Sequence, residues 1–477
     1  MKMIIGGIPV DSSDKKTIDV INPANGELID TVPSATKEDI EKAVELGKAA
    51  QKEWYKVPVY EKVNIMYKFL DLVDENKEKL AQTLSQETGK PITEARAEIN
   101  NIQIAFKAFS EKAKHLYGQT IPAGLEEGQD KNVLITKREP MGVVACVIPF
   151  NFPCDLYDQK VAPALLAGNA AIVKPSTDNP LTLIMLTEYL SEAGVTPGAI
   201  QIVTGRGSTV GSWLCQNKDV HAITLTGSTE VGIETARTAA DHLAHIALEL
   251  GGNDAFIVLE DGDVDLAVEE VIWGRMYNTG QVCCASKRFL IHESRVDEFT
   301  EKVVNRIKTL KQGDPADETT EIGCLISEKA AIKTEEQINL TVEEGGEIVL
   351  GGKRNGAFIE PTVIKNVPKT ASVATHMEIF APVVPIISFK DVDEAIEIAN
   401  SSMFGLCGCV FTEDMKKAMY VCNELECGGT VINGASFFRS FEMPFGGYKY
   451  SGLGTEGVMS TFDAVTKTKT IVLKNII

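Results

Sequence analysis

Between residues 37 and 117, apolar side chains recur at three- and four-residue spacing with charged ones between them, over the segments 37–54, 60–88 and 92–117. That spacing gathers the apolar set on one side of a helix, so the chain is expected to open with a helix-rich first hundred residues. From residue 133 the pattern changes to short β-branched runs at 142–148, 170–173, 200–203, 221–225 and 255–259, parted by helix-length segments. Apolar runs without polar alternation are buried on both faces, which predicts parallel βαβ units with helices covering the sheet. A second cycle follows residue 261, with helices near 266–278 and 296–311 and strands at 289–291, 347–350 and 383–387. The runs 132–138 and 465–473 belong to neither cycle. Strands of that kind offer unpaired backbone to a neighbouring chain.

A chain of 477 residues exceeds what one core usually serves, which agrees with two α/β units. Its 67 acidic and 47 basic residues leave a formal charge of -20, which repels phosphate backbones and anionic lipid. Nucleic acid and membrane are therefore not expected partners. No stretch approaches the roughly 18 apolar residues of a membrane span, and the first residues lack the apolar run of a signal peptide, so a cytoplasmic location is expected. Ten cysteines lie scattered in mostly apolar surroundings, as reduced thiols would. Cys407-Gly408-Cys409 has no second Cys/His pair at ligand spacing nearby, and no metal site is expected.

The chemistry concentrates in four stretches. Cys283 and Cys284 sit in a polar, glycine-bearing run, Asn278-Thr279-Gly280-Gln281-Val282-Cys283-Cys284-Ala285. The run Glu249-Leu250-Gly251-Gly252 adds a carboxylate able to activate water, and a thiol with such a partner reads as covalent catalysis. Pro149-Phe150-Asn151-Phe152-Pro153 and Gly168-Asn169-Ala170-Ala171-Ile172-Val173-Lys174-Pro175-Ser176 complete the set. Strand–glycine–helix turns recur at 202–211 and 223–232, where Gly207 and Gly227 would let backbone approach a phosphate at a helix N-terminus.

Taken together, these stretches resemble the aldehyde dehydrogenase superfamily from end to end, in its NAD(P)-dependent, hydrolytic branch. The resemblance implies an α/β fold with a Rossmann-like cofactor domain (1–118 and 139–252), a second α/β catalytic domain (253–447) and a small β oligomerisation arm (119–138 and 460–477), hence a homodimer or homotetramer. It implies that Cys283, two positions after Gln281, is the nucleophile that forms a thiohemiacetal and then a thioester. The side-chain amide of Asn151 and the backbone N–H of Cys283 would hold the oxyanion, and Glu249 would activate the hydrolytic water. The presence of Glu249 favours hydrolysis over acyl transfer to coenzyme A; that transfer, and a catalytically silent binding member of the fold, are the alternatives.

Carried over residue by residue, Gly227 and Ser228 meet the cofactor pyrophosphate, Lys174 the adenosine ribose, and Glu378 and Phe380 the nicotinamide ribose, with Ile148, Ser176, Gly207 and Leu250 beside them. Thr177 stands where relatives that prefer NAD usually carry a glutamate for the ribose 2′-hydroxyl. A hydroxyl there does not repel a 2′-phosphate, so NADP, or use of both cofactors, is expected over strict NAD. For the aldehyde, Phe152, Leu156, Gln159, Cys284 and Phe445 are expected pocket residues, and Arg439 in the loop before Pro444-Phe445-Gly446-Gly447 suggests a small anionic substrate such as a semialdehyde, lactaldehyde or phospho-aldehyde. Asp155 would oppose an anion if it faced inward.

Overall fold

Four of the five runs expected before residue 261 become the parallel heart of one sheet, whereas 255–259 enters the second sheet as Asp254–Val258 and the place beside Ala222–Thr226 is taken by His245–Glu249, a strand the sequence pattern did not disclose. A computed structural model describes residues 1–476; of the expected arm (119–138 and 460–477), residue 477 lies outside the described residues. In the first sheet Ile200–Ile202, Ala170–Lys174, Val143–Val147, Ala222–Thr226 and His245–Glu249 lie side by side, each parallel to the next. Chain order reverses between Val143–Val147 and Ala222–Thr226. In open α/β sheets ligands bind beyond the carboxyl ends of strands near such a reversal. Ile148, Gly227 and Leu250 each follow the last residue of one of these strands, and Lys174 is itself a last residue.

The second sheet runs Glu347–Leu350, Thr362–Lys365, Val383–Phe389, Ser286–His292, Asp254–Val258, Cys407–Phe411 and Gly429–Ile432, parallel except at its first edge. Glu249 ends a strand of the first sheet and Asp254 begins one of the second, so the short segment between them crosses from one sheet to the other. Thr466–Leu473 pairs antiparallel with Val133–Pro140 along its whole length, and Thr120–Ile121 adds a third strand outside both sheets.

Three local expectations are corrected. The first 33 residues are not helical: Met3–Ile5 and Ile8–Val10 form a hairpin turned at Gly6 and Gly7, both at positive φ, which joins the first sheet through Ile4 and Ile202. Thr17–Ile21 and Leu28–Pro33 form a second hairpin. Met3–Ile5, though buried, is too short to leave a period in the sequence, and the other three strands are short and largely exposed or half-buried. The expected helix 60–88 divides into Val59–Glu75 and Lys77–Thr88, because the Asn76 amide donates to the Leu72 carbonyl at 2.8 Å and competes with the helical ladder. The expected helix 266–278 ends at Val271 and unwinds through a wider turn, Ile272–Met276, into the segment that carries the cysteines.

Candidate active site

Asn278, Thr279 and Gly280 adopt φ of 50°, 54° and 76°, three left-handed residues in succession. For non-glycine residues that conformation costs of order 1–3 kcal/mol each, so the surroundings must hold it. They do. The Asn278 N–H donates to Glu94 at 2.8 Å, its side-chain amide donates to the Asn151 carbonyl at 2.9 Å, and Gln281 Oε1 accepts from the Ile326 N–H at 2.9 Å. At Gly280 a Cβ would lie 2.4 Å from the Ala381 carbonyl carbon, so no other residue fits. The outcome is that Cys283 is partly open while Val282, Cys284 and Ala285 are buried. Lys287 fixes the Cys283 carbonyl with its ammonium group and also lies 3.1 Å from Glu378.

The two neighbouring thiols are unlike. Cys283 is held down to about 7, first by a hydrogen bond from the Cys284 thiol and then, against burial, by the positive charges of Lys287 and Arg439. Cys284 moves well above the ordinary thiol range for the converse reason, as donor to Cys283 and through burial. It packs with Leu406, Cys407 and Phe445. A thiolate is the reactive form, and the lowered pKa gives Cys283 the larger thiolate fraction of the pair.

Glu249 is buried and its Oε2 has no partner among the described residues. Burial, then the nearby Glu456 carboxylate, raise its pKa well above the carboxylate range, while Arg439 and Lys160 oppose them. Glu456 itself bonds Lys160 and, at 3.1 Å, Arg439; against burial these two cations keep it ionised. Asn151 is anchored only through its backbone: its carbonyl accepts from Lys90 at 3.0 Å and from Asn278, while its side-chain amide makes no hydrogen bond among the described residues. Lys90 is in turn paired with the buried Glu98, which accepts from the Cys154 N–H at 2.8 Å.

On the opposite side, the strand ends form a polar rim. A Cβ at Gly227 would meet nothing nearer than Leu225 at 3.5 Å, and one at Gly207 nothing within 4 Å, so both turns leave room for a ligand. Ser228 caps the helix Thr229–Ala240, its hydroxyl accepting weakly from the Val231 N–H at 3.4 Å. The Lys174 ammonium is buried and, among the described residues, bonds only to the carbonyl of Pro175; burial pulls it down to about 8. A buried ammonium with two donor positions unused suits a sugar hydroxyl. Thr177 donates to the Gly205 carbonyl at 3.2 Å, tying its loop to the glycine turn, and the exposed Arg206 follows directly. Ser176 accepts from the Asp178 N–H, and Ile148 and Leu250 are buried, with Leu250 against Gly232. Glu378 accepts from the Gly252 N–H at 3.3 Å, and Phe380 meets Phe150 edge-on at 5.9 Å. These groups fit a dinucleotide: open glycine turns for the pyrophosphate, polar side chains for the riboses.

The expected pocket wall is partly aromatic. Phe152 stacks on Tyr277 at 6.1 Å and meets Phe437, while Trp273 packs on both Tyr277 and Phe437 at about 5 Å. Arg439 is not a surface ion pair: its guanidinium lies 4.1 Å over the Phe445 ring and bonds Glu456, and its charge acts on Cys283, Cys284 and Glu249. Leu156 and Gln159 are buried, and neither amide atom of Gln159 has a partner among the described residues. Asp155 accepts from Asn101 at 3.3 Å and is pushed up to about 7 by burial and by Glu98, with Lys90 and Arg439 opposing.

Sequence reasoning missed Lys90, Lys160, Lys287, Asn278, Glu456 and the aromatic trio Trp273, Tyr277 and Phe437. A lysine inside an apolar helix, as Lys160 is in Pro153–Leu166, signals a buried carboxylate partner, but sequence spacing does not say which one.

The family model described as "Aldehyde dehydrogenase family" matches residues 10–471. Lactaldehyde dehydrogenase of Methanococcus aeolicus is 37% identical over 464 residues, covering 96% of this chain and 98% of its own. 3-Sulfolactaldehyde dehydrogenase of Priestia aryabhattai is 37% identical over 456 residues, covering 96% and 94%. Among solved structures, an NADP-dependent enzyme of E. coli superposes with a TM-score of 0.95 at 35% identity, covering 99% of this chain and 98% of that one.

Proposed function

The chain belongs to the aldehyde dehydrogenase family, and from that premise we propose that it oxidises a short, polar aldehyde of the lactaldehyde type, with or without an anionic substituent, through covalent catalysis at Cys283. The observation that carries this reading is the contrast between neighbours: Cys283 is partly open, with its thiol held down to about 7, while Cys284 is buried and its thiol driven up. The Cys283 sulfur adds to the carbonyl carbon, and the carbonyl electrons move onto oxygen. The unengaged amide of Asn151 and the N–H of Cys283 donate to that oxyanion. When bound, NAD(P) supplies the hydride acceptor of this family. The oxyanion electrons re-form the carbonyl as hydride departs, which leaves a thioester on Cys283. Glu249, in its ionised form, takes a proton from water, the resulting hydroxide adds to the thioester, and the acid leaves as the thiolate is restored.

Gly207, Gly227 and Ser228 would hold the pyrophosphate, Lys174 and Ser176 the adenosine ribose, and Glu378 and Phe380 the nicotinamide ribose, with Ile148 and Leu250 shaping the walls. Thr177 and the adjacent Arg206 favour acceptance of NADP, alone or beside NAD. Phe152, Leu156, Gln159, Cys284, Arg439 and Phe445 would line the aldehyde pocket. The relatives named for lactaldehyde and 3-sulfolactaldehyde support a substrate of that size, and Arg439 supports an anionic substituent.

We read 1–118 with 139–252 as the cofactor-binding unit, 253–447 as the catalytic unit, and 119–138 with 460–477 as an arm that makes a homodimer or homotetramer. The exposed Ile471, Val472 and Leu473 on the unpaired edge of Thr466–Leu473 support this assembly. Among the described residues no helix is long and apolar enough to cross a membrane, and none of the ten cysteines is paired, which suits a reducing cytoplasm. The test is NAD(P)H formation from lactaldehyde and 3-sulfolactaldehyde. Its loss in Cys283→Ala, with folding intact, is expected, and its persistence would refute the reading.

A further inference from the structure

The helix Pro153–Leu166 turns one face toward the cleft, and that face carries more polar groups than the reaction uses. Starting from Phe152, positions three, four, seven and eight residues on are Asp155, Leu156, Gln159 and Lys160, which share one side of the helix. Phe152 packs on Tyr277 and Phe437 at one end of this face, and Lys160 bonds Glu456, the partner of Arg439, at the other. Asp155 and Gln159 lie between these anchors. Asp155 Oδ2 accepts from Asn101, leaving Oδ1 buried without a partner, and both polar atoms of the Gln159 amide are likewise unpartnered. Arg439, which acts on Cys283 and Glu249, also acts on Asp155, so the carboxyl belongs to the same cleft.

Buried polar atoms that the protein leaves unbonded are costly unless a ligand completes them. Three such atoms on one helix face, a carboxyl oxygen, an amide oxygen and an amide nitrogen, match a group that both donates and accepts. A hydroxyl does both. Asp155 sits in the first turn of the helix that begins at Pro153, two residues after Asn151, which would hold the reacting carbonyl oxygen. A substituent on the carbon next to the carbonyl would extend toward this first turn. Resting on the reading given above, we propose that Asp155 and Gln159 select aldehydes bearing a hydroxyl beside the carbonyl, making 2-hydroxyaldehydes the preferred substrate class. Burial pushes Asp155 up to about 7, so near neutral pH it is available both as donor and as acceptor. Arg439 then remains for an anionic group further out.

The test compares kcat/KM for lactaldehyde with that for propanal, which keeps the carbon skeleton and lacks the hydroxyl, using the full-length enzyme. A site that completes buried polar groups with a substrate hydroxyl can reject the analogue without it by 10⁴–10⁵ at the extreme; a ratio of at least about 10² is expected here. Asp155→Leu and Gln159→Met should each lower that ratio at least about tenfold, the loss falling more heavily on lactaldehyde, and Asp155→Asn should restore most of it. A wild-type ratio near one, or ratios unmoved in both apolar variants, would overturn the proposal. Should Asp155→Leu fail to fold, the wild-type ratio and Gln159→Met decide alone. Failure of the underlying reading is visible separately, since neither aldehyde would then be oxidised, and this proposal would fall with it.

Discussion

Arg439 reaches Glu456 at 3.1 Å, and that contact helps hold a cation where it acts on Cys283 and Glu249 together. Stacked over Phe445, the guanidinium has little freedom to leave. Arg439→Ala removes a charge-assisted partner of an anionic aldehyde, a contact worth about 1.5–3 kcal/mol, or roughly 10- to 100-fold in kcat/KM. The loss should be larger for 3-sulfolactaldehyde than for lactaldehyde, measured side by side. Equal losses would mean that Arg439 serves the nucleophile alone.

Cys283 should titrate early. Its folded-state pKa is about 7, below the ordinary thiol value, so the thiolate accumulates as pH rises through 7 and is lost below it. The rate of alkylation by iodoacetamide at Cys283 should rise along that limb. In Cys284→Ala the hydrogen bond that contributes most to the shift is gone, and the limb should move upward. An unmoved limb would locate the cause in Lys287 and Arg439 instead.

The oxyanion assignment to Asn151 predicts a kinetic loss without a structural one. Its side chain bonds nothing among the described residues, and its backbone carries the anchoring contacts to Lys90 and Asn278. Asn151→Ala should therefore lower kcat by about 10²–10³ with an unchanged melting temperature.

Gly280→Ala should do the opposite kind of damage. At φ of 76° with the Ala381 carbonyl in the way, a methyl group must displace backbone on a neighbouring segment. A loss of about 1–3 kcal/mol or more is expected, read as a lower melting temperature together with lost activity, because the same segment presents Cys283.

At the ribose, Thr177→Glu would place a carboxylate beside the loop tied to Gly205. It should lower kcat/KM with NADP at least about tenfold while leaving or improving that with NAD. An unaltered ratio would mean that Thr177 does not face the 2′ position.

The parts of this molecule that its sequence discloses are those with a period or a fixed spacing. The runs around Val144 and Ile172 are apolar without interruption and that around Ile223 is broken only by Thr224, and all three became central strands. Cys283, Glu249 and Asn151 could be singled out because the stretches that hold them resemble those of aldehyde dehydrogenases, and the structure links them through the Asn278 bond to the Asn151 carbonyl and the effect of Cys283 on Glu249. Lys160 and Glu456, far apart in the chain, form a buried pair that depends on where Pro153–Leu166 packs, and no local pattern encodes that. The left-handed Asn278 and Thr279 were equally hidden, because their conformation is imposed by Glu94, Asn151 and Ile326 from elsewhere in the chain. Arg439 was visible as a residue, whereas its bond to Glu456 was not.

The central claim is that an acyl group passes through Cys283 and that Glu249 drives its release. The most direct measurement is intact-protein and peptide mass spectrometry of Glu249→Gln after brief reaction with lactaldehyde and NAD(P). The account predicts a burst of about one NAD(P)H per chain and an added lactoyl mass on the peptide containing Cys283. A burst without that mass on Cys283, or turnover undiminished in the variant, would contradict it.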